Sequence, residues 1–330
     1  MWETNAEHLI VEEDGTVCGV RVRKSDGYWK KVYAQPRKET LLTCLSMARY
    51  VGPKTELLPL LAPGLKHNTG FGLKMGLEVG AAVSGSMSGM HCELVDTRSS
   101  KPEATIWGHS YGIIVNEHCK RFYDEGKRPL FATCEPLAVE VWKEQNQKAY
   151  FITDKTIMDR FRPGWVYDTT DLDPEQSDTI EGLAEKLGLE PSKLRQTVDE
   201  FNAAIDDKEF NLMTLDGKRT YGLSPNKTNW ANPINQPPYY GYPLKAQVAF
   251  TFGGLKCDTD SRVLSTTGIP IPGLYCTGEL SGVYYNESKC CFLFPLMRAS
   301  IRQLRLIHLA AVCFAVLHSA GLREWTRRRL

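Results

Sequence analysis

Three short stretches of the sequence pair glycines with groups that can do chemistry. Gly278-Glu279 follows Gly273-Leu274-Tyr275-Cys276-Thr277, a run that suits a short strand and its end. A carboxylate there accepts hydrogen bonds from a hydroxyl-bearing ligand, and the glycine lets the backbone come close to that ligand; an exposed Glu in a turn is the alternative. Gly253-Gly254 offers bare backbone N–H groups, which steady negative charge as it develops on a reacting molecule, or it forms a plain β-turn. Asn68 to His91 opens with Thr69-Gly70-Phe71-Gly72 and continues with Leu73, Met75, Leu77 and Val79 among small residues. That pattern suits a loop running into a tightly packed helix, whose glycines admit a ligand or a second backbone. Tyr239, Tyr240 and Tyr242 can face a ligand too, although packing is the commoner use of such a cluster.

The elements that must hold these groups are legible in part. His8 to Glu12, Val17 to Arg23 and Tyr28 to Ala34 are β-prone runs separated by Asp14-Gly15 and Asp26-Gly27, which predicts an antiparallel three-stranded meander. Lys38 to Met47 reads as a helix without a clear apolar face. From Thr179, apolar residues at 180, 183 and 187, then 194, 198, 201 and 205, predict two amphipathic helices broken near Gly188 and Pro191. Asn226 to Pro243, with Pro233, Pro237, Pro238 and Pro243 beside Trp230 and the tyrosines, predicts an ordered loop. Val248 to Phe252, Leu255 to Asp258, Arg262 to Leu264 and Gly273 to Cys276 read as short strands. β-Rich ends around a helical middle predict an inserted domain.

Length and composition set bounds. At 330 residues the chain exceeds what one hydrophobic core usually organises. Hydrophobic residues make up 42% and charged residues 24%, and 40 Lys+Arg against 39 Asp+Glu leave +1, which is globular composition with no basic excess for a nucleic-acid partner. The ten cysteines form no CxxC pair, so no metal site is expected and the thiols read as reduced and scattered. The first residues, MWETNAEHLIVEEDG, carry no apolar secretory core, which points to the cytoplasm. The apolar run Leu304 to Leu317 contains Arg305 and His308 and falls short of the roughly 20 residues that span a bilayer, so no stable membrane insertion is expected.

Thr251 to Leu264, TFGGLKCDTDSRVL, followed by Ile269 to Gly282, IPIPGLYCTGELSG, resembles the C-terminal half of the FAD-dependent fumarate reductase and succinate dehydrogenase flavoprotein family, nearest its tricarballylate dehydrogenase-like branch. Asn68 to His91 and Tyr111 to Gly126, YGIIVNEHCKRFYDEG, agree with the family in the same order. The resemblance implies an α+β or α/β fold: a partial FAD-binding, Rossmann-like domain with a β-meander over residues 1–88 and 249–330, and an inserted α+β substrate-capping domain over residues 89–248. It implies FAD as cofactor, with Glu279 as ribityl ligand and Gly278, Gly253, Gly254, Thr69 and Gly70 around it. His91 falls where the family binds a substrate carboxylate, and Arg128 where it transfers the proton; a structural His and a solvated Arg are the competing readings. An arginine shuttles protons only when its neighbours tune it, because its intrinsic pKa is roughly 12.5 or higher.

The implied activity is oxidation or reduction of a C–C bond next to a carboxylate or carbonyl of a small, tricarballylate- or fumarate-like molecule. A ketosteroid dehydrogenase-like enzyme and a non-catalytic remnant are the alternatives. Three departures stand out. Phe250 occupies a place where many fumarate reductases carry a His, no G-x-G-x-x-G phosphate-binding turn is present, and QPRKETLLTCLS at 35–46 replaces an expected apolar strand and Gly-Gly pair, as the text after Asn286 replaces an expected glycine-rich segment. The chain thus reads as truncated, by a gene-model error or in truth, and is expected to hold FAD weakly.

Overall fold

The computed structural model describes residues 4–24, 29–33, 58–62, 65, 70–160 and 170–282. The expected helix at 38–47, Thr69, the replaced segments at 35–46 and after 286, and the apolar run at 304–317 lie outside the described residues.

In chain order the strands are β1 (Thr4–Val11), β2 (Val17–Lys24), β3 (Trp29–Tyr33), β4 (Val83–Ser84), β5 (Met90–Asp96), β6 (Ile113–Asn116), β7 (Ala149–Asp154), β8 (Glu175–Ser177), β9 (Tyr239–Thr251), β10 (Gly254–Leu255), β11 (Arg262–Leu264) and β12 (Pro270–Tyr275). The helices are α1 (Phe71–Glu78), α2 (Leu130–Lys143), α3 (Lys155–Met158), α4 (Ile180–Leu187) and α5 (Pro191–Ala203). The fold is mixed α and β, and it divides into two compact units.

The first unit draws on the described parts of Met1–Gly52, Lys66–Met90 and Phe250–Leu330. Its meander forms with order β1-β2-β3, antiparallel throughout, and Asp14 accepts the Thr16 N–H at 2.8 Å inside the first turn. β10 pairs with β4, and β11 pairs with β12, both antiparallel. One apolar core joins these pieces: Val17 of the meander, Leu73 of α1, Ala81, Leu255, Val263, Ile271, Cys276 and Leu280. Burying each large aliphatic side chain here contributes about 1.5–3 kcal/mol.

The second unit comprises the described parts of Pro53–Leu65 and His91–Ala249. Its sheet has the order β5-β9-β7-β6, with β8 also paired to β9. The helix pair forms where the 3.6-residue spacing places it. α4 starts at Thr179, whose side chain accepts the Gly182 N–H at 3.0 Å, and α5 starts with Pro191 in its first turn, where a missing N–H costs nothing. Ile180, Leu183, Leu187, Leu194, Val198 and Phe201 form one buried face against Ile113, Val115 and Ile152 of the sheet.

Two elements depart from expectation. The tyrosine- and proline-rich stretch leaves its loop at Tyr239 and becomes β9, a 13-residue strand that absorbs the piece expected at 248–252. Pro243 lies within it opposite Tyr150 of β7, and its carbonyl accepts the Thr97 N–H at 2.9 Å. Tyr239 and Tyr242 are buried in this unit, and Tyr242 lies under the Arg98 guanidinium at 5.5 Å, so both pack rather than face solvent. The second departure is α2, 14 residues with Pro136 inside, which the sequence did not announce. Among the described residues no helix is long and apolar enough to cross a membrane.

Candidate functional site

In the first unit the chain leaves β12, passes Cys276 and Thr277, and turns through a 3-10 turn at Gly278–Leu280. Gly278 sits at φ 68°, a left-handed conformation that a side chain would strain, and this turn aims Glu279 inward. Glu279 is 1% exposed; its Oε1 accepts the Thr251 N–H at 2.8 Å and the Thr251 hydroxyl at 3.4 Å. Beyond the turn, Ser281 bridges Leu255 in parallel and the Gly282 N–H donates to the Leu255 carbonyl at 3.1 Å. A Cβ on Gly254 would run into the Leu280 carbonyl and the Gly282 backbone, and one on Gly253 would strike Met87. Glycine is therefore required at 254 so that β10 can lie against the turn that carries Glu279. The four residues Gly253, Gly254, Gly278 and Glu279 come together in one place.

Gly70 stands at the start of α1, and no side chain caps that helix and no acid lies in its first turn. Its leading backbone N–H groups present a positive end suited to an anionic or polar group. α1 reaches the same core, since Gly76 packs on the Leu255 side chain. Thr69 lies outside the described residues.

His91 and Arg128 belong to the second unit. His91 is buried on β5 between two carboxylates: Nε2 meets Glu93 Oε1 at 3.2 Å, and Nδ1 meets Glu135 Oε2 of α2 at 3.4 Å. Burial alone would lower its pKa, but hydrogen bonds and charge from Glu135 and Glu93 outweigh that and raise it to about 9. The imidazole is a cation at neutral pH, with both ring nitrogens directed at protein carboxylates. Glu93 is held in turn by the Thr105 hydroxyl at 2.6 Å, and although burial opposes ionisation its pKa is lowered by His91 and Thr105.

Arg128 immediately precedes Pro129, the residue before α2, and its carbonyl accepts the Thr133 hydroxyl at 2.9 Å. Its part-buried guanidinium makes no hydrogen bond or ion pair among the described residues. Its charge is felt at Tyr123, where burial pushes the phenol up to about 12 and Arg128 works against that rise.

Sequence reasoning missed the most elaborate charge cluster of this unit. Glu125 is fully buried, accepts the Ile114 N–H at 2.8 Å and is paired to Arg121 at 2.6 Å. The fully buried Lys227 donates to the Ser110 and Gly112 carbonyls at 2.7 and 2.6 Å and lies 3.9 Å from Glu125. Burial drives the Lys227 pKa down to about 8 despite Glu125. The conspicuous RFYDEG stretch is thus a structural clamp in which Arg121 and Glu125 answer each other. Glu93 was findable two residues from His91 on a strand; Lys227, in a loop about 100 positions from its partners, had no local signal.

Residues 1–289 match the FAD binding domain family. The chain belongs to that family. It is 30% identical over 221 residues to the NADH:acrylate oxidoreductase of Vibrio harveyi, covering 63% of this chain and 20% of that protein. It is 28% identical over 306 residues to the 3-oxosteroid 1-dehydrogenase of Mycobacterium tuberculosis, covering 82% and 52%. Among solved structures, the open conformation of a flavocytochrome c3 fumarate reductase superposes with a TM-score of 0.62 at 21% identity, over 84% of this chain and 46% of that one, a likeness of fold. The chain spans about half the length of these proteins or less.

FAD is the cofactor of the family, and the first unit of this FAD binding domain protein fits it chemically. A buried carboxylate at a glycine turn is an acceptor for the hydroxyls of a ribityl chain, and the uncapped start of α1 favours an electron-rich neighbour.

Proposed function

We propose that the protein is an FAD-dependent oxidoreductase acting on a C–C bond next to a carboxylate or carbonyl, with a tricarballylate- or fumarate-like small molecule as substrate. The observation that carries the reading is the buried Glu279 carboxylate, presented by the Gly278–Leu280 turn and steadied by Thr251, in a chain of the FAD binding domain family. In this reading residues 1–88 and 249–330 form the flavin-type domain and residues 89–248 cap the substrate. Glu279 accepts hydrogen bonds from the cofactor's hydroxyls, with Gly278, Thr69 and Gly70 letting backbone approach it. Gly253 and Gly254 supply backbone N–H groups to negative charge developing on the substrate. Bound FAD supplies hydride exchange with a substrate carbon. Arg128, whose guanidinium is uncommitted among the described residues, holds a substrate carboxylate or moves the proton, and the cationic His91 adds positive charge while Glu93 and Glu135 engage its N–H groups.

A second reading, a ketosteroid dehydrogenase-like enzyme, is favoured by Phe250, whose ring lies 6.1 Å from that of Phe252 and makes this position apolar. One experiment separates them. The protein is loaded with FAD, reduced chemically without oxygen, and mixed with acrylate, fumarate, an unsaturated tricarboxylate or a 3-oxo-4-ene steroid, and the return of the flavin absorbance is followed. Recovery with an unsaturated acid supports the proposal, recovery with the steroid alone supports the second reading, and recovery with none refutes both.

A further inference from the structure

One cleft of the second unit plays no part in the flavin reading. Its volume is about 350 Å³, within the roughly 300–1,000 Å³ of small-molecule sites. Three elements wall it: the turn after β6 brings Lys120 and Arg121, α5 brings Glu200 and Phe201, and the loop before Lys227 brings Leu223 and Pro225. Hydrogen bonds lock these walls to one another. The Thr197 hydroxyl of α5 donates to the Cys119 carbonyl of the turn at 2.7 Å, and Arg121 Nη1 donates to the Pro225 carbonyl at 3.0 Å.

The cleft combines an apolar surface with charges of both signs. Phe201 is 1% exposed, its ring 5.3 Å from the Arg121 guanidinium, and Leu223 and Pro225 add half-buried apolar surface. The Arg121 side chain is itself only 6% exposed. Its Nε and Nη2 N–H groups are taken by Glu125 and Tyr123 and one Nη1 N–H by Pro225, which leaves the other Nη1 N–H without an acceptor among the described residues. The exposed Lys120 ammonium has no hydrogen-bonded or ion-paired partner among those residues. Glu200, also exposed, accepts a hydrogen bond from Gln196 at 2.8 Å and meets no cation among them. A cation and an anion thus line one cleft without pairing with each other.

We propose that this cleft binds a zwitterionic α-amino acid with a planar apolar side chain. The ligand's carboxylate meets the Lys120 ammonium and the spare Arg121 N–H, its ammonium meets Glu200, and its ring lies against Phe201, Leu223 and Pro225. A simple carboxylate would leave Glu200 unanswered, and a simple amine would leave Lys120 and Arg121 unanswered. A zwitterion engages both ends, and that difference sets the selectivity. None of these residues is assigned above to the cofactor or the substrate.

Equilibrium dialysis of the full chain against L-phenylalanine, phenylpropanoate and phenethylamine tests this. L-Phenylalanine should bind one to one, and at least about 3-fold more tightly than either analogue, since each analogue lacks one charged contact. Lys120→Met should weaken L-phenylalanine and phenylpropanoate by about 3-fold or more and leave phenethylamine unchanged; Glu200→Gln should weaken L-phenylalanine and phenethylamine and spare phenylpropanoate. Both side chains are exposed, so the two variants should keep the parent's urea midpoint. No binding of L-phenylalanine at about 10 mM, an equal affinity for phenylpropanoate, or an unchanged L-phenylalanine affinity in either variant overturns the proposal.

Discussion

Arg121 holds Glu125 through both carboxylate oxygens, Nε to Oε1 at 3.1 Å and Nη2 to Oε2 at 2.6 Å, with the acid fully buried. Burial by itself would keep Glu125 protonated, but the cations Arg121 and Lys227 and the Ile114 N–H hold its pKa below the usual carboxylate value. The clamp also closes the loop around it, since Arg121 reaches the Pro225 carbonyl at 3.0 Å and Lys227 reaches those of Ser110 and Gly112.

Removing one partner of such a pair strands the other in a medium that solvates it poorly. Arg121→Met should therefore cost about 3 kcal/mol or more of folding stability, because Lys227 at 3.9 Å replaces only part of the lost interaction. Urea unfolding monitored by tryptophan fluorescence measures this. A loss under about 1 kcal/mol would show that the pair behaves as a solvated surface bridge.

His91 gives the second unit a pH-dependent stability. Its folded pKa, about 9, lies above the value near 6.5 of an unfolded histidine, so the folded state binds the extra proton. The stabilisation is complete below about pH 6.5 and is lost as the pH rises through about 9, on the order of 3 kcal/mol in all. The urea midpoint should fall between pH 6.5 and 9.5 in the parent protein and flatten over that range in His91→Gln. An equal slope in both would remove His91 from the account.

How far the sequence reveals this structure follows the range of the interactions. The meander and the α4–α5 pair are written locally, in Asp14-Gly15, in the spacing of Ile180, Leu183 and Leu187, and in Pro191, so they are legible without knowing any tertiary contact. The sheet strand β9 is not, because its prolines mask a strand whose pairing with β7 is set about 90 residues away. α2 hides for a similar reason: Pro136 argues against a helix whose buried Leu137, Ala138, Val141 and Trp142 stabilise it through tertiary packing. At the site, glycines beside Glu279 signalled close backbone approach, and at Gly254 the approaching backbone is the protein's own. The carboxylates around His91 come from two elements, and only the nearer, Glu93, leaves a trace in the local sequence.

Glu279→Gln keeps the side chain's shape and an oxygen for the Thr251 N–H, and removes only the charge. A hydrogen bond to a charged group contributes about 1.5–3 kcal/mol, so FAD affinity should fall by roughly 10-fold or more. Flavin fluorescence titration measures it, with the urea midpoint as a control for folding. An unchanged dissociation constant would mean that Glu279 serves the Thr251 contact and not the cofactor.

Arg128 offers a cleaner separation of chemistry from folding, because its guanidinium has no hydrogen-bonded or ion-paired protein partner among the described residues. Arg128→Lys should leave the urea midpoint within about 0.5 kcal/mol of the parent and leave FAD affinity unchanged, since no described interaction of either kind is lost. Turnover with an unsaturated acid should drop by more than about 10-fold, because an ammonium is a single point of charge and cannot offer a carboxylate the two parallel donors of a guanidinium. The split between KM and kcat then tells which task Arg128 performs: a rise in KM alone assigns it to holding the carboxylate, and a fall in kcat at unchanged KM assigns it to the proton. Parent-like values of both would place Arg128 outside the reaction.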